Sequence, residues 1–503
     1  LVRQIYTFFI KQFYSRYFIA YFLQHSSAKI LCSQFIGLLT YCGYWANDVL
    51  HYYNRQFGLH SGLSKILKPS LEGKAMKYLI YVLPFLLVNT QPVFADQQTV
   101  LKCGKLIDVE AREVLSGQLI TVDHQRISAI HSGDHYKGDA QIVDLSEYTC
   151  LPGLIDMHVH LMIALSAAYE LEKVTLGAPD LAYLAARHAE LTLMAGFTTV
   201  RDLGDRSGVA VALRKAINKG LVIGPRVFAS GRPLSSTGGH DDPTNGWRAD
   251  LQGDPGPVEG VVNGVVDARK AVRQRYKNGV DLIKIMVTGG VLDLSKHSHS
   301  PQFFDDEIEA IVTTADSYGF KVAAHAHGVE GMQRAIRAGV ASIEHGTLMD
   351  ADTMSMMKKH DTYLVATMLA GDFVAQKAKI DGYFPDIVRP KAARIGPQIQ
   401  DTFGRAYKAG VKIAFGTDTG VSAHGDNAQE FALMVEAGMP PMEAIIAATK
   451  SAADLLGETE QLGSISVGKY ADVVAVKGNP IEDITLLENI HFVMKNGTIY
   501  KAE

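Results

Sequence analysis

Seven side chains between residues 158 and 418 lie in or just after short apolar runs and are of types that hold metal ions or move protons: His158, His160, Lys284, His325, His327, His345 and Asp418. His158 and His160 form an H-x-H pair. On a β-strand, residues i and i+2 share a face, so both imidazoles can grip one cation. His325 and His327 repeat the spacing. Imidazole and carboxylate donors suit zinc or a neighbouring divalent transition ion. Taken singly, each residue has a plainer reading, since a buried histidine is often a hydrogen-bonded core residue and a strand lysine often snorkels. Their coincidence is what calls for an explanation.

The elements that must position them follow a pattern. Helical stretches end in glycine at 196, 279, 339 and 410, and a short apolar β-branched run follows each. Glycine just past a helix end takes the left-handed conformation that closes it. Apolar runs without alternation fit parallel strands buried on both faces. Eight such strands are expected at 154–160, 198–202, 226–230, 282–287, 321–325, 342–345, 363–367 and 412–417, separated by helices such as 305–317 and 328–338. Eight βα units over about 300 residues predict an α/β fold of the (β/α)8 TIM barrel type, whose sites are built at the C-terminal ends of the strands. The metal-ligand types sit at those ends. Residues 98–151 carry only short strand patterns, as do 464–476 and 491–501. The expected organisation is a small β-sandwich made from 96–151 and 457–503, flanking a barrel at 152–456.

Composition narrows the class. The chain has 503 residues, 47% hydrophobic and 20% charged, with a net charge of −4. Four cysteines cannot form a disulfide scaffold, and the balance gives no basic footprint for nucleic acid. Residues 1–95 carry nine Lys/Arg against Asp48 and Glu72, whereas the remainder is acidic. Met76-Lys77 precedes an apolar run at 78–88, and Val93-Phe94-Ala95 offers small residues for cleavage before Asp96. This predicts a signal peptide at 76–95, an untranslated upstream extension at 1–75, and an exported, periplasmic or secreted mature protein without stable membrane association. The rival reading is a membrane anchor at 30–47. Cys103 and Cys150, the cysteines beyond 95, are expected as two buried thiols, although export allows a disulfide.

With LPGLIDMHVHL (151–161), TTVRDLG (198–204), AAHAHG (323–328), SIEHG (342–346) and FGTDTG (415–420), the chain resembles the amidohydrolase superfamily of metal-dependent hydrolases. The likeness spans nearly all of 98–503. STGGHDDPTNG (236–246) and IKIMVTGGVL (283–292) are similar to the branch of Xaa-Pro dipeptidases and imidazolonepropionase-like hydrolases. The resemblance implies a binuclear centre with Zn2+ as the expected ion. His158, His160 and Asp418 would hold one ion, and His325 and His345 the other. Lys284, carboxylated by CO2, would bridge them as a carbamate. It further implies that a metal-bridging hydroxide attacks the substrate, that Asp418 is ligand and base, and that His327 or His240 contacts the substrate. Arg201 is a candidate for a substrate carboxylate, with Arg232, His299 and His424 behind it. The 296–303 segment, with two further histidines, reads as a pocket-lining loop.

The leading expectation is therefore a dipeptidase acting on dipeptide or other small-molecule substrates. The alternatives are a cyclic-amide hydrolase of the imidazolonepropionase kind, hydrolysis of another amide or ester, and a non-catalytic scaffold barrel. A homo-oligomer is left open.

Overall fold

The computed structural model describes residues 98–133, 135–294 and 299–503. The expected upstream extension, signal peptide, rival anchor and cleavage point near Ala95 lie outside these, as does His297. Among the described residues no helix is long and apolar enough to cross a membrane.

The first strands are β1 (Thr99–Asp108), β2 (Glu113–Asp123), β3 (Arg126–Ser132) and β4 (Gln141–Pro152). Strands β5 (Leu154–Val159), β6 (Phe197–Asp202) and β7 (Arg226–Ala229) follow, then β8 (Ile283–Met286), β9 (Val322–Ala326), β10 (Ser342–His345) and β11 (Tyr363–Val365). The chain ends in β12 (Val473–Lys477), β13 (Ile490–Lys495) and β14 (Thr498–Ala502). Both ends of the described chain meet in one seven-stranded mixed sheet, ordered β14-β13-β12-β4-β1-β2-β3. The structure gives a single ladder where two packed layers were expected. The sheet curls: Ile127 N donates to Lys469 O at 3.0 Å, and Ala471 N to Gln125 O at 2.8 Å. Its concave face encloses Leu101, Ile120, Val122, Ile127, Val473, Phe492 and Met494.

The expectation of free thiols is corrected here. Cys103 and Cys150 form a disulfide, with Cα atoms 6.0 Å apart and a sequence separation of 47. Parallel pairing of β1 with β4, with a register shift after Cys103, brings the two together. No local pattern reports such a pairing.

β5 to β11 form two parallel sheets, β5-β6-β7 and β8-β9-β10-β11. β5 and β6 are buried at every residue, as strands covered on both faces must be. Leu234, beyond β7, bridges to Ile285 of β8. On the other side, residues 412–419 run between β11 and β5: Leu364 N donates to Lys412 O at 2.8 Å and Met157 N to Phe415 O at 2.9 Å. The expected eighth strand is not a continuous ladder. Phe415 N and Ile155 N bond instead to Ala447 O and Ala448 O, so a helix end interrupts the pairing. The expected glycines do close helices: Gly279 and Gly339 are C-caps with φ of 77° and 95°.

The curled sheet joins the parallel strands through Tyr470. Its ring lies 4.1 Å from the Arg126 guanidinium and 4.6 Å from that of Arg226. Arg226 also pairs with Asp472 at 2.8 Å.

Candidate metal centre

His158 lies one residue before the end of β5, Lys284 in β8, His325 near the end of β9, His345 ends β10, and Asp418 follows the 412–417 stretch. All five are buried. The ligand atoms of His158, His345 and Asp418 lie within 4.8 Å of one another. Asp418 Oδ1 is 3.1 Å from His160 Nε2 and 3.6 Å from His158 Nε2. The His325 ring packs 4.7 Å from both His327 and His345, and His327 stacks on His345 at 5.0 Å.

The backbone is bent to make this convergence. His345, Thr367 and Asp418 all have left-handed φ values, of 70°, 59° and 58°. For such residues this costs about 1–3 kcal/mol each and persists only where the surroundings enforce it. Asp418 N donates to His158 O at 2.7 Å. Thr367 is held by the two amides after it, Met368 N and Leu369 N, which donate to the Glu430 carboxylate at 3.0 and 2.6 Å.

The imidazoles are oriented by partners that occupy one ring nitrogen and leave the other facing inward. His158 Nδ1 lies 2.9 Å from Glu344 Oε2, His345 Nδ1 2.7 Å from Thr367 Oγ1, and His327 Nδ1 2.7 Å from Thr347 Oγ1. His325 uses its Nε2 on Gly289 O at 3.3 Å, leaving Nδ1. Asp156 accepts from His158 N, Thr417 Oγ1 and Asn427 Nδ2 at 3.0, 2.6 and 2.8 Å, tying β5 to the segment that carries Asp418. Burial pushes Asp156 up to about 6 against these bonds. Asp202 accepts from Leu161 N at 2.9 Å, fixing the turn after His160.

Burial, reinforced by neighbouring imidazoles, holds His325 and His345 well below the usual histidine range. They are neutral donors at pH 7. His158 falls to about 4 through burial and Lys284, against the pull of Asp418 and Glu344. Burial also lowers Lys284 to about 8, although Glu344 and Asp418 oppose it. Burial raises Asp418, but His158 and His160 overcome this and hold it below the ordinary carboxylate range. Neutral imidazoles and an ionised carboxylate converging from separate strands are a donor set that fits divalent transition ions.

His240 lies beside the cluster, its ring stacked 4.3 Å from His325 and its Nδ1 2.5 Å from Asp293 Oδ1. Burial lowers it, but Asp293 more than offsets this, so its pKa is raised. A Cβ on Gly290 would stand 2.1 Å from the His240 ring, so the approach requires glycine.

Arg201 is a correction. It is 2% exposed and faces the strand interior, with Nε donating to Met157 O at 2.6 Å, Nη1 to Ser342 Oγ at 3.1 Å and Nη2 to Glu344 Oε1 at 2.8 Å. With all three nitrogens engaged it is not free to bind a substrate carboxylate. His424 stacks on His188 and reaches Ile163 O at 2.9 Å, beneath the loop that follows His160. Arg232 is spent on backbone carbonyls of Glu259 and Arg206.

Sequence reasoning missed Glu344, Thr347, Thr367, Asp293 and Asp156. Glu344 left a signal, because a charged residue two positions after Ser342 on a buried strand shares its face.

Parallel strands that gather histidines and an aspartate at their ends, beside a buried lysine, make an arrangement of the kind hydrolases use, with a donor set suited to a divalent ion. The chain belongs to the amidohydrolase family, whose model matches residues 149–500. A solved Xaa-Pro dipeptidase with methionine bound in its active site is 52% identical, with a TM-score of 0.79, covering 81% of this chain and 100% of that one. A prolidase complexed with N-methylphosphonate-L-proline is 33% identical, with a TM-score of 0.75 over the same shares. Ochratoxinase of Aspergillus niger is 34% identical over 338 residues, 63% of this chain and 68% of that enzyme.

Proposed function

We propose that this protein is an exported binuclear metal-dependent dipeptidase, of the Xaa-Pro dipeptidase kind, built on a (β/α)8 barrel. The observation that carries the reading is the convergence of His158, His160, His345 and Asp418 through their inward nitrogens and oxygens. The bridges from Leu234 to Ile285 and from Val159 to Thr419 support barrel closure. The Cys103–Cys150 disulfide supports an oxidising compartment.

In this reading His158, His160 and Asp418 would hold one divalent ion, zinc being the expected one, and His325 and His345 would hold a second. Lys284, once carboxylated, would supply an anionic oxygen donor to them. Its depressed pKa raises the share of neutral amine, which attacks CO2, loses a proton and becomes a carbamate. Bound there, divalent ions supply Lewis acidity, polarising the scissile carbonyl and acidifying water. Asp418 Oδ1 takes the proton of the attacking water and passes it to the leaving amine nitrogen. His240, its Nδ1–H held by Asp293 and its pKa raised, presents Nε2–H to a substrate oxygen in its doubly protonated form. His327 presents its own Nε2–H when the Thr347 hydroxyl donates to its Nδ1. The Xaa-Pro dipeptidase and prolidase likenesses support a dipeptide substrate, and the ochratoxinase likeness favours including ochratoxin as a second.

The test supplies the purified protein with zinc and bicarbonate and follows amino-acid release from Xaa-Pro, Xaa-Arg and Xaa-hydrophobic dipeptides, with ochratoxin alongside. Dipeptide cleavage that disappears in Lys284→Ala is the expected result. Cleavage of ochratoxin alone would replace the dipeptidase reading with that of another amide hydrolase. No turnover of any member by metal-loaded protein would sink the dipeptide assignment.

A further inference from the structure

The Arg201 correction opens onto a buried chain of hydrogen bonds whose direction chemistry fixes. A guanidinium can only donate. Arg201 Nη2 therefore donates to Glu344 Oε1, and Arg201 Nε and Nη1 tie the same side chain to Met157 O and Ser342 Oγ. Glu344 is fully buried, and an ionised carboxylate can only accept. At 2.9 Å, the proton between Glu344 Oε2 and His158 must sit on Nδ1. That leaves the Nε2 lone pair bare, and it faces Asp418 Oδ1 across 3.6 Å.

We propose that Glu344, anchored by Arg201, is a positioning residue that fixes the His158 tautomer and ring orientation, and so sets the affinity of the ion held by His158, His160 and Asp418. The proposal rests on the metal-site reading above. Three strands contribute, with Met157 and His158 from β5, Arg201 from β6, and Ser342 and Glu344 from β10. The relay thus locks one ligand to two other strands beneath the site. Hydroxyl partners would not do the same. The hydroxyls of Thr367 and Thr347, which serve His345 and His327, can donate or accept, so they leave the tautomer open. At His158 an ionised carboxylate dictates the proton position at 2.9 Å, whereas at His325 a backbone carbonyl, Gly289 O, does so from 3.3 Å.

Partners of this kind are worth about 10–100-fold in metal affinity when removed. The decisive experiment loads the full chain with Co2+ and records both the visible spectrum and stepwise chelator competition for wild type, Glu344→Gln and Glu344→Asp. Glu344→Gln keeps the size but lets the amide present either a donor or an acceptor. Expected are a roughly tenfold or greater loss of affinity in one competition step only, an altered cobalt band for that ion, and a native far-UV spectrum. Glu344→Asp, which keeps the charge, should recover part of the loss. Arg201→Met should weaken the same step, because Glu344 then loses its anchor. Equal affinity and spectra in wild type and Glu344→Gln would overturn the proposal while leaving the metal site standing. Equal weakening of both steps would overturn it too, since a general packing defect does not select one ion. Failure of wild type itself to bind Co2+ would overturn the metal-site reading, and the proposal with it.

Discussion

The strand ends around Asp418 and the curled seven-stranded sheet are each assembled from pieces far apart in sequence, yet they are held by opposite means. The sheet encloses aliphatic and aromatic side chains and one disulfide. Its stability comes from apolar burial and a shortened unfolded chain. The strand ends instead bury His158, Lys284, Glu344, Arg201, Asp156 and Asp418. Burying charge is costly unless every partner is in place, so this region spends stability on orientation. Three left-handed non-glycine residues in the same place make the point again. One region keeps the molecule together and the other keeps a few atoms aimed.

That contrast can be broken at either side. The largest effect is expected at the rim: Asp418→Ala should lower kcat by about 10³-fold or more through loss of a ligand and proton carrier, while Tm moves by only a few degrees. A collapse of Tm with the activity would show that the rim is structural as well. In the sheet the opposite is expected. Cys150→Ala opens a 47-residue loop and should cost about 4 kcal/mol in denaturant unfolding with kcat nearly unchanged. Unaltered stability under reducing and non-reducing conditions would dispose of the staple.

A smaller effect is expected at the joint. Arg226→Met removes the partner of Asp472 and one face of the Tyr470 stack, and should cost about 2 kcal/mol. Equilibrium melts monitored in both regions check whether the cost falls on the sheet and the strands together. The smallest is a pH effect at Lys495, which is buried beside Arg226. Burial, and then the Arg226 charge, lower it from 10.5 to about 8 against Asp472. A base depressed in the folded state costs stability as pH falls from about 10.5 through 8, because only the unfolded chain takes up the proton. Because Lys495→Met also loses the Nζ bond to Gly224 O, its net gain should be on the order of 1 kcal/mol at pH 7 and should turn into a small loss near pH 10.5. A gain that persists at high pH would point to packing rather than charge.

Much of the strand order was legible because buried parallel strands announce themselves as apolar runs after C-capping glycines. The two H-x-H pairs, Lys284, His345 and Asp418 could be picked out because their types are unusual at the ends of such runs. What failed did so for identifiable reasons. The 412–417 run has the composition of a strand, but its ladder is interrupted by Ala447 and Ala448, which are adjacent only in space. Arg201 looked available to substrate because a sequence does not say which side of β6 its guanidinium leaves from. Glu344 and Thr367 were passed over because their partners lie 186 and 22 residues away.

The sequence by itself determined the strand periods, the helix stops and the inventory of ligand-type side chains, since these follow from local sterics and from side-chain chemistry. Only the tertiary structure decided that Cys103 meets Cys150, that Arg201 serves Glu344 rather than the solvent-facing side, and which nitrogen of each histidine is spent on a partner. Those are matters of register between strands and of hydrogen-bond direction inside a dry interior. Neither is written in the order of residues along one strand.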